Sequence, residues 1–362
     1  MTDEYMQYME AQKNQKLFEM EDLYQSRLDE FIPAIQDSLN QSFQTVVALQ
    51  KNGRLGEISY LEYTFLYTNL INQKDAAQMR VYDDNWYFDP YQRVIGEFDY
   101  SLLFTKYWEL WTQLLSGRKR SAKAATAKET ISFLLSCASQ FYKYIAAAVY
   151  FSILPCISED PFQSILRADE FEINVGEYMA YTKAVYKENR NRSLKATLDW
   201  FALREEYDYA FEAFCGLDFS GADLSEIDLR YADLRHAAFK NTDFEDSLLY
   251  GARFCHANLQ GANFCYSQIH EADFTGADLA NARFCRAYAY RGAPDPVHWL
   301  NVGYRSVNFH AANLTNADFT HASIYDADFT GANMTGAKLD RAQLERFALS
   351  FEQKQSVTVI DG

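Results

Sequence analysis

The sequence predicts two parts of unlike kind: an α-helical, aromatic-rich domain over residues 1–213, then a β-solenoid over 214–346. A short C-terminal cap and tail at 347–362 closes it. Three observations carry this. From Phe219 to Leu344 a large apolar residue recurs at every fifth position, interrupted only around 288–307, usually with Ala two places before it. That period fits neither the helical 3.6 nor the strand period of two. Upstream, apolar residues recur at three- and four-residue spacing, as on helix faces. The third observation is a split in side-chain chemistry: residues 1–213 hold 19 of the 26 tyrosines and four of the five tryptophans, but no histidine.

The repeat reads Ala222-Asp223-Leu224, Ala232-Asp233-Leu234, Ala262-Asn263-Phe264 and Ala272-Asp273-Phe274. After the interruption it resumes as Ala312-Asn313-Leu314, Ala317-Asp318-Phe319 and Ala327-Asp328-Phe329. It resembles the pentapeptide-repeat family. The resemblance implies a right-handed quadrilateral β-helix, one pentapeptide per side and about 20 residues per coil, in a family that is mostly non-catalytic. The residue types agree. Leu or Phe at each centre and Ala two places earlier suit a narrow interior. Two places after the centre come Gly221, Gly251, Gly261, Gly276, Gly331, Gly336, Asn241, Asn281 and Asn316, which tolerate the positive φ of a turn. The 26 centres from 219 to 344 give about 6.5 coils and a stack roughly 30 Å long.

In the first part, Leu17, Phe18, Leu23, Tyr24, Leu28, Phe31, Ile32 and Ile35 mark amphipathic helices, with Pro33 expected in a break or at the first turn of a second helix that stops near Gly53. Further helices are expected over Ile58–Ile71, Phe98–Leu115 and Thr130–Leu154, the last stopped by Pro155. More are expected through Tyr178–Tyr186, Leu198–Leu203 and Tyr207–Phe214. Met79–Tyr91 reads as irregular or a strand pair. Arg118-Lys119-Arg120 with Lys123 reads as a solvated loop. The domain's family is not recognisable. Joined to the repeats without a linker, it is placed to close their N-terminal end, while Phe347, Leu349 and Phe351 close the other. The last residues read as frayed, with no substantial C-terminal helix.

Composition narrows the function. A net charge of −16 excludes a general nucleic-acid binder that works by neutralising phosphates. No signal peptide is visible, and the apolar run Ile145–Leu154 is too short to span a bilayer. Six cysteines in 362 residues read as reduced thiols of a cytoplasmic protein. No nucleophile elbow, phosphate loop or dinucleotide fingerprint occurs, and no cofactor is expected.

Folding the repeats by steps of 20 residues stacks Arg230, Tyr250, His270, Tyr290 and His310 in one outward column, beside Leu248, Gln268 and Tyr288. Tyr, His and Arg are enriched in binding surfaces, so this strip is either a partner-binding site or a ring stack that stabilises neighbouring coils. The same steps bring His236 beneath His256, with Cys255 beside it. No CxxC or HxxxH pair accompanies them, so no metal site is expected. The segment 288–307 keeps the five-residue phase but carries two prolines and Trp299. It is either a distorted coil or an ejected loop that exposes Arg291, Asp295, His298 and Trp299.

Three readings of function remain. The first is a non-catalytic scaffold for a protein or peptide, accessory to a peptide-modifying system. The second, implied by other members of the family, is a DNA mimic directed at type II topoisomerases such as gyrase. Its acidic rows, Asp218-Ala238-Asn258-Asp278-His298-Asp318-Lys338 and Asp223-Asp243-Asn263-Arg283, are diluted and interrupted. The third is an enzyme in the helical domain, built around Arg80, Asp83, Asp84, Arg93, Glu97 and Asp99.

Overall fold

The computed structural model describes residues 2–88, 93–117, 125–180, 182–206, 208–293 and 302–360. Arg118–Arg120 and Lys123 lie outside them. The chain forms two compact units, Met1–Tyr186 with Ala293–Gly303, and Lys187–Gly292 with Tyr304–Gly362. The sequence reading divides the chain at 213; the compact units divide it at 186 and exchange one further segment.

The first unit is helical, but not only helical. Its frame is α1 (Asp3–Lys51), α3 (Thr105–Gly117) and α4 (Ala127–Ile157), with short α2 (Tyr67–Ile71) and α5 (Asp160–Gln163). With them stands a five-stranded sheet in the order β3 (Arg93–Asp99), β2 (Ala76–Tyr82), β1 (Ile58–Phe65), β4 (Arg167–Glu177) and β5 (Thr182–Asn189). β1 pairs parallel with β4 and antiparallel with β2. The expected helix at Ile58–Ile71 is therefore a strand followed by a single helical turn. Ile-Ser-Tyr-Leu-Glu-Tyr-Thr-Phe is rich in aromatic and β-branched residues, and as a central strand it is buried on both faces, so it shows no alternation to read. The expected helix over Phe98–Leu115 begins only at Thr105. The segment at Tyr178–Tyr186 enters β5 instead of a helix.

α1 starts at Thr2, whose side chain accepts the Tyr5 N–H, and runs without a break through Pro33. A proline costs a helix one backbone bond and a steric clash. Here a buried stripe of Tyr24, Leu28, Phe31, Ile35 and Leu39 continues on both sides of it, so packing outweighs the local penalty. α4 opens with a Thr126/Glu129 capping box and contains Pro155 in its last turn. Phe65 and Tyr142 stack face to face at 3.8 Å in this unit's ring-rich core.

The second unit contains the solenoid. Parallel bridges join residues 20 apart, one bridge every five residues, from Asp218↔Ala238 to Gln268↔Tyr288. The centres form interior stacks: Phe244, Phe264, Phe284 and Phe319 follow one another at 5.1, 4.9 and 4.8 Å, their planes within 9° of parallel. Buried Ala fills the space beside them. The turn position two after the centre has positive φ as expected, and holds Tyr231, His236 and Tyr266 there as well as Gly and Asn.

Beyond Tyr288 the bridge partners jump from 20 to 35 apart, Asp273↔Asn308 and Tyr288↔Ser323, then return to 20. An insertion of fifteen residues thus separates the two coils. Gly292 and Tyr304 close its neck with a reciprocal pair of backbone bonds at 2.9 Å. Three consequences correct the sequence columns. His310 leaves the aromatic column, its carbonyl bonding the Gly276 N–H, and Tyr325 takes its place above Tyr290. Asp278 pairs with Asn313, not residue 298, and Arg283 continues to Asp318 and Lys338. The stack is also shorter than 6.5 coils by those fifteen residues.

Both ends are closed. α6 (Leu194–Phe201) places Phe201 5.5 Å from Phe219 at the first coil. The stretch expected as a helix up to Phe214 is already coil backbone, with Phe211 bonded to Arg230. The tail is ordered rather than frayed: β7 (Thr358–Ile360) pairs parallel with β6 (Lys338–Asp340) after two short helices, α7 (Arg341–Arg346) and α8 (Phe351–Ser356). Gln343 donates to the Phe319 and Ala322 carbonyls, and Gln353 to those of Phe329 and Ala332. Those are the orphan carbonyls that an open end would leave bare.

Candidate functional site

The aromatic column is a packed cluster with an exposed rim. At its base Arg230 is buried, forks onto Asp228 and donates to the Tyr250 hydroxyl at 2.7 Å. His270 is 1% exposed, lies parallel to Tyr304 at 4.7 Å, and accepts the Tyr290 N–H on Nδ1 at 2.9 Å. Burial pushes its imidazolium down to about 4. Glu271 beside it accepts from the Tyr231 hydroxyl and from the Arg305 N–H at the loop's return. The loop's last residues thereby tie three coils together. Tyr304 was not among the sequence candidates; its place on a centre position in an irregular segment was the only signal.

What remains accessible is a rim of rings. Tyr290 is 39% exposed and Tyr325, one coil above, is 45% exposed, while Tyr288, two residues before Tyr290, is half-buried. Two residues before Tyr288 stands Arg286, donating to the Tyr266 hydroxyl at 2.7 Å one coil below, and Tyr266 is 40% exposed. Arg346 covers Tyr325 at 4.5 Å. Arg291 and His310 are exposed; Asp295, His298 and Trp299 lie outside the described residues. Tyr266 and Tyr325 were missed because the first is two places after a centre, where turns were expected, and the second enters the column only through the 35-residue jump.

His236 and His256 stack at 5.4 Å, while the Cys255 thiol sits 3.1 Å from the Asp273 carboxylate, and burial pushes it up. Among the described residues no group of three or more His, Cys, Asp or Glu is placed to hold a metal. The carboxylates of the ladders are largely engaged: Asp233 with Arg235, Asp228 with Arg230, Asp318 with Lys338. Asp218 and Asp223 cap the N–H two residues on, and Asp223 also lies 3.5 Å from the Arg204 guanidinium.

In the first unit, Arg80 lies over Tyr178 at 4.1 Å, Asp99 caps Ser101, and Glu97 pairs with Lys74. Asp83 and Asp84 accept from the Asn85 side chain. Asp83 and Arg93 line a shallow cleft of about 360 Å³. These charges do not converge on one point. A second, smaller cavity lies at the ends of β1 and β4, against α4. No helix among the described residues is long and apolar enough to cross a membrane.

Known proteins bear on one region. The family of pentapeptide repeats matches residues 213–246, 247–286 and 305–347, leaving out most of the insertion. A pentapeptide repeat protein (Rfr23) of the cyanobacterium Cyanothece 51142 is 17% identical over 39% of this chain and 95% of its own, with a TM-score of 0.26. One from the Arabidopsis thaliana thylakoid lumen is 28% identical over 38% and 72%, with a TM-score of 0.16. QnrB1, a plasmid-mediated fluoroquinolone resistance protein, is 22% identical over 38% and 66%, also at 0.16. No curated protein matches the chain.

Proposed function

We propose that this chain, whose C-terminal region is built of pentapeptide repeats, is a non-catalytic scaffold that holds a protein or peptide partner on the tyrosine rim of its solenoid. The family resemblance supports taking that solenoid as a right-handed, four-sided prism, and a rigid one suits the role: a preformed face spends little ordering entropy on binding. The observation that carries the reading is the exposure of Tyr266, Tyr290 and Tyr325 within neighbouring coils, beside Arg286. Tyrosine gives a large, stiff, amphipathic contact and with arginine dominates binding hot spots. Arg230 and His270, being buried, support the rim from behind instead of touching the partner. The setting we favour is the cytoplasm, where the six free cysteines stay reduced, with the scaffold acting beside peptide-modifying enzymes.

The topoisomerase reading is less well supported, because mimicry of DNA needs long unpaired acidic rows. Here the row from Asp223 passes through Asn263 and Arg283 to a paired Asp318 and Lys338.

The test is capture from native lysate by the full-length protein and by a Tyr266→Ala/Tyr290→Ala/Tyr325→Ala variant, with mass-spectrometric identification. All three rings are exposed, so the variant should fold, as circular dichroism will show. Loss of a defined protein or peptide from the variant alone supports the scaffold. A topoisomerase subunit held equally by both would replace it with the mimic.

A further inference from the structure

The cysteines of this chain are not equivalent. Cys137 and Cys156 lie roughly 28 Å apart along α4. Cys215 and Cys255 are two coils apart, with Arg235 between them in their column. Of the six, only Cys265 and Cys285 hold the same place on consecutive coils.

Their register is pinned on both sides. Just before them Asn263 bridges Arg283, and the Phe264 and Phe284 rings stack at 4.9 Å. Just after them the Tyr266 N–H donates to the Cys285 carbonyl at 3.1 Å, and Arg286 donates to the Tyr266 hydroxyl at 2.7 Å. Consecutive coils are roughly 4.8 Å apart, within the Cα separation of about 4.4–6.8 Å that a disulfide spans.

The two thiols differ in access. Cys265 is 2% exposed, whereas Cys285 is half-buried, its sulfur 3.6 Å from the Thr320 hydroxyl. Burial, with Cys285 beside it, pushes the Cys265 thiol up to about 11, so it is not the first nucleophile. The Arg283 guanidinium stands beside both sulfurs and favours a thiolate. Asp318 hydrogen-bonds the Cys285 thiol, and Lys338 lies 3.6 Å from that carboxylate. An accessible thiol with a cation beside it and a second thiol behind it suits reversible oxidation.

We propose that Cys285 and Cys265 form a reversible redox site whose substrate is a low-molecular-weight disulfide of the glutathione kind. The Cys285 thiolate attacks one sulfur of that disulfide and breaks its S–S bond. A mixed disulfide forms and one small thiol leaves. The Cys265 sulfur then attacks the Cys285 sulfur, closing an S–S bond between the coils and releasing the second small thiol. The two cysteine protons end on the two released thiols, so the cysteines are oxidised and the small disulfide is reduced. All six cysteines being free, the dithiol is the resting form. The bond is labile: Cβ atoms roughly 4.8 Å apart must draw in toward the usual 3.8 Å or so, and a strained disulfide is readily reduced. The site does not depend on what the tyrosine rim binds.

The test is incubation of the folded full-length protein with oxidised glutathione, then acid quenching, alkylation and peptide mass spectrometry. The unaltered protein should give a Cys265–Cys285 cross-link that dithiothreitol reverses, with no glutathione left on Cys285. Cys265→Ser should instead retain glutathione on Cys285, and Cys285→Ser should carry none on Cys265. Ser225, Thr275 and Thr320 fill the same place after other centres, so both serine variants should fold, as thermal melts will show. An unmodified Cys285, glutathione persisting on it without a cross-link in the unaltered protein, or glutathione on Cys265 in Cys285→Ser would each overturn the assignment.

Discussion

The solenoid and the first unit solve the same problem, burying polar backbone and side chains, in opposite ways. In the repeats one solution is copied. Where Ser or Thr replaces the inner Ala, at Thr242, Ser247 and Ser267, its hydroxyl bonds the carbonyl of a centre 23 residues earlier. Among the described residues, Trp111 Nε1, Asn14 Oδ1 and Glu177 Oε1 of the first unit are buried side-chain atoms with no hydrogen bond, whereas no such atom lies in the repeats from residue 213 on. The first unit's contacts are each made once, so its unmet groups stand out. The difference teaches where to look. In the solenoid, function is signalled by departures from the repeat, such as the loop and the tyrosines. In the first unit it is signalled by unsatisfied chemistry.

The sharpest way to break this contrast is in the core. Phe264→Ala should cost about 3–5 kcal/mol by opening a gap in a ring stack, while Phe264→Leu, a residue the repeat already uses at its centres, should cost about 1 kcal/mol. Urea unfolding reads both, and equal losses would deny that the centres are interchangeable.

Next is the segment that the solenoid chain lends to the first unit. Glu21, buried on α1, accepts from the Tyr144 hydroxyl and the Gly303 N–H, and Gln25 donates to the Gly303 carbonyl. A Cβ at 303 would overlap the Glu21 carboxylate and stand 2.8 Å from Ala293 N. Gly303→Ala should therefore cost about 3 kcal/mol. Gly221→Ala, at φ +74° in open space, should cost about 1 kcal/mol. Thermal melts of both variants check the ratio.

His270 gives a pH test. Its folded pKa, near 4, lies below the ordinary histidine value of 6.5, so the unfolded chain binds the extra proton between these values. The contribution is complete above pH 6.5 and is lost as pH falls toward 4, on the order of 2–3 kcal/mol in all. His270→Phe should keep the ring against Tyr304 and flatten stability across that window. A slope left unchanged would place the titration elsewhere.

The smallest effect should be at the cap. Gln343→Ala frees two carbonyls and should cost about 1–2 kcal/mol, seen as faster amide exchange confined to the last coil. Global acceleration would mean the solenoid opens as one unit.

The five-residue period made the solenoid, its inward centres and its positive-φ turns legible, because each is a local demand repeated until it cannot be missed. It also located the aromatic column at Arg230, Tyr250, His270 and Tyr290. The helices α3 and α4 were legible from their spacing. The sheet was not: a strand buried on both faces, such as Ile58–Phe65, shows no alternation, and its partners lie as far away as residue 177. The sequence by itself thus determined what repeats and which residues point inward along it. Tertiary structure alone decided that 15 residues are inserted between two coils, so that Tyr325 and not His310 stands above Tyr290. It also set Glu177 and Lys143, far apart in sequence, around one cavity. The physical reason is that a period constrains neighbours along the chain, whereas contacts made once between distant segments are selected only when the whole unit packs.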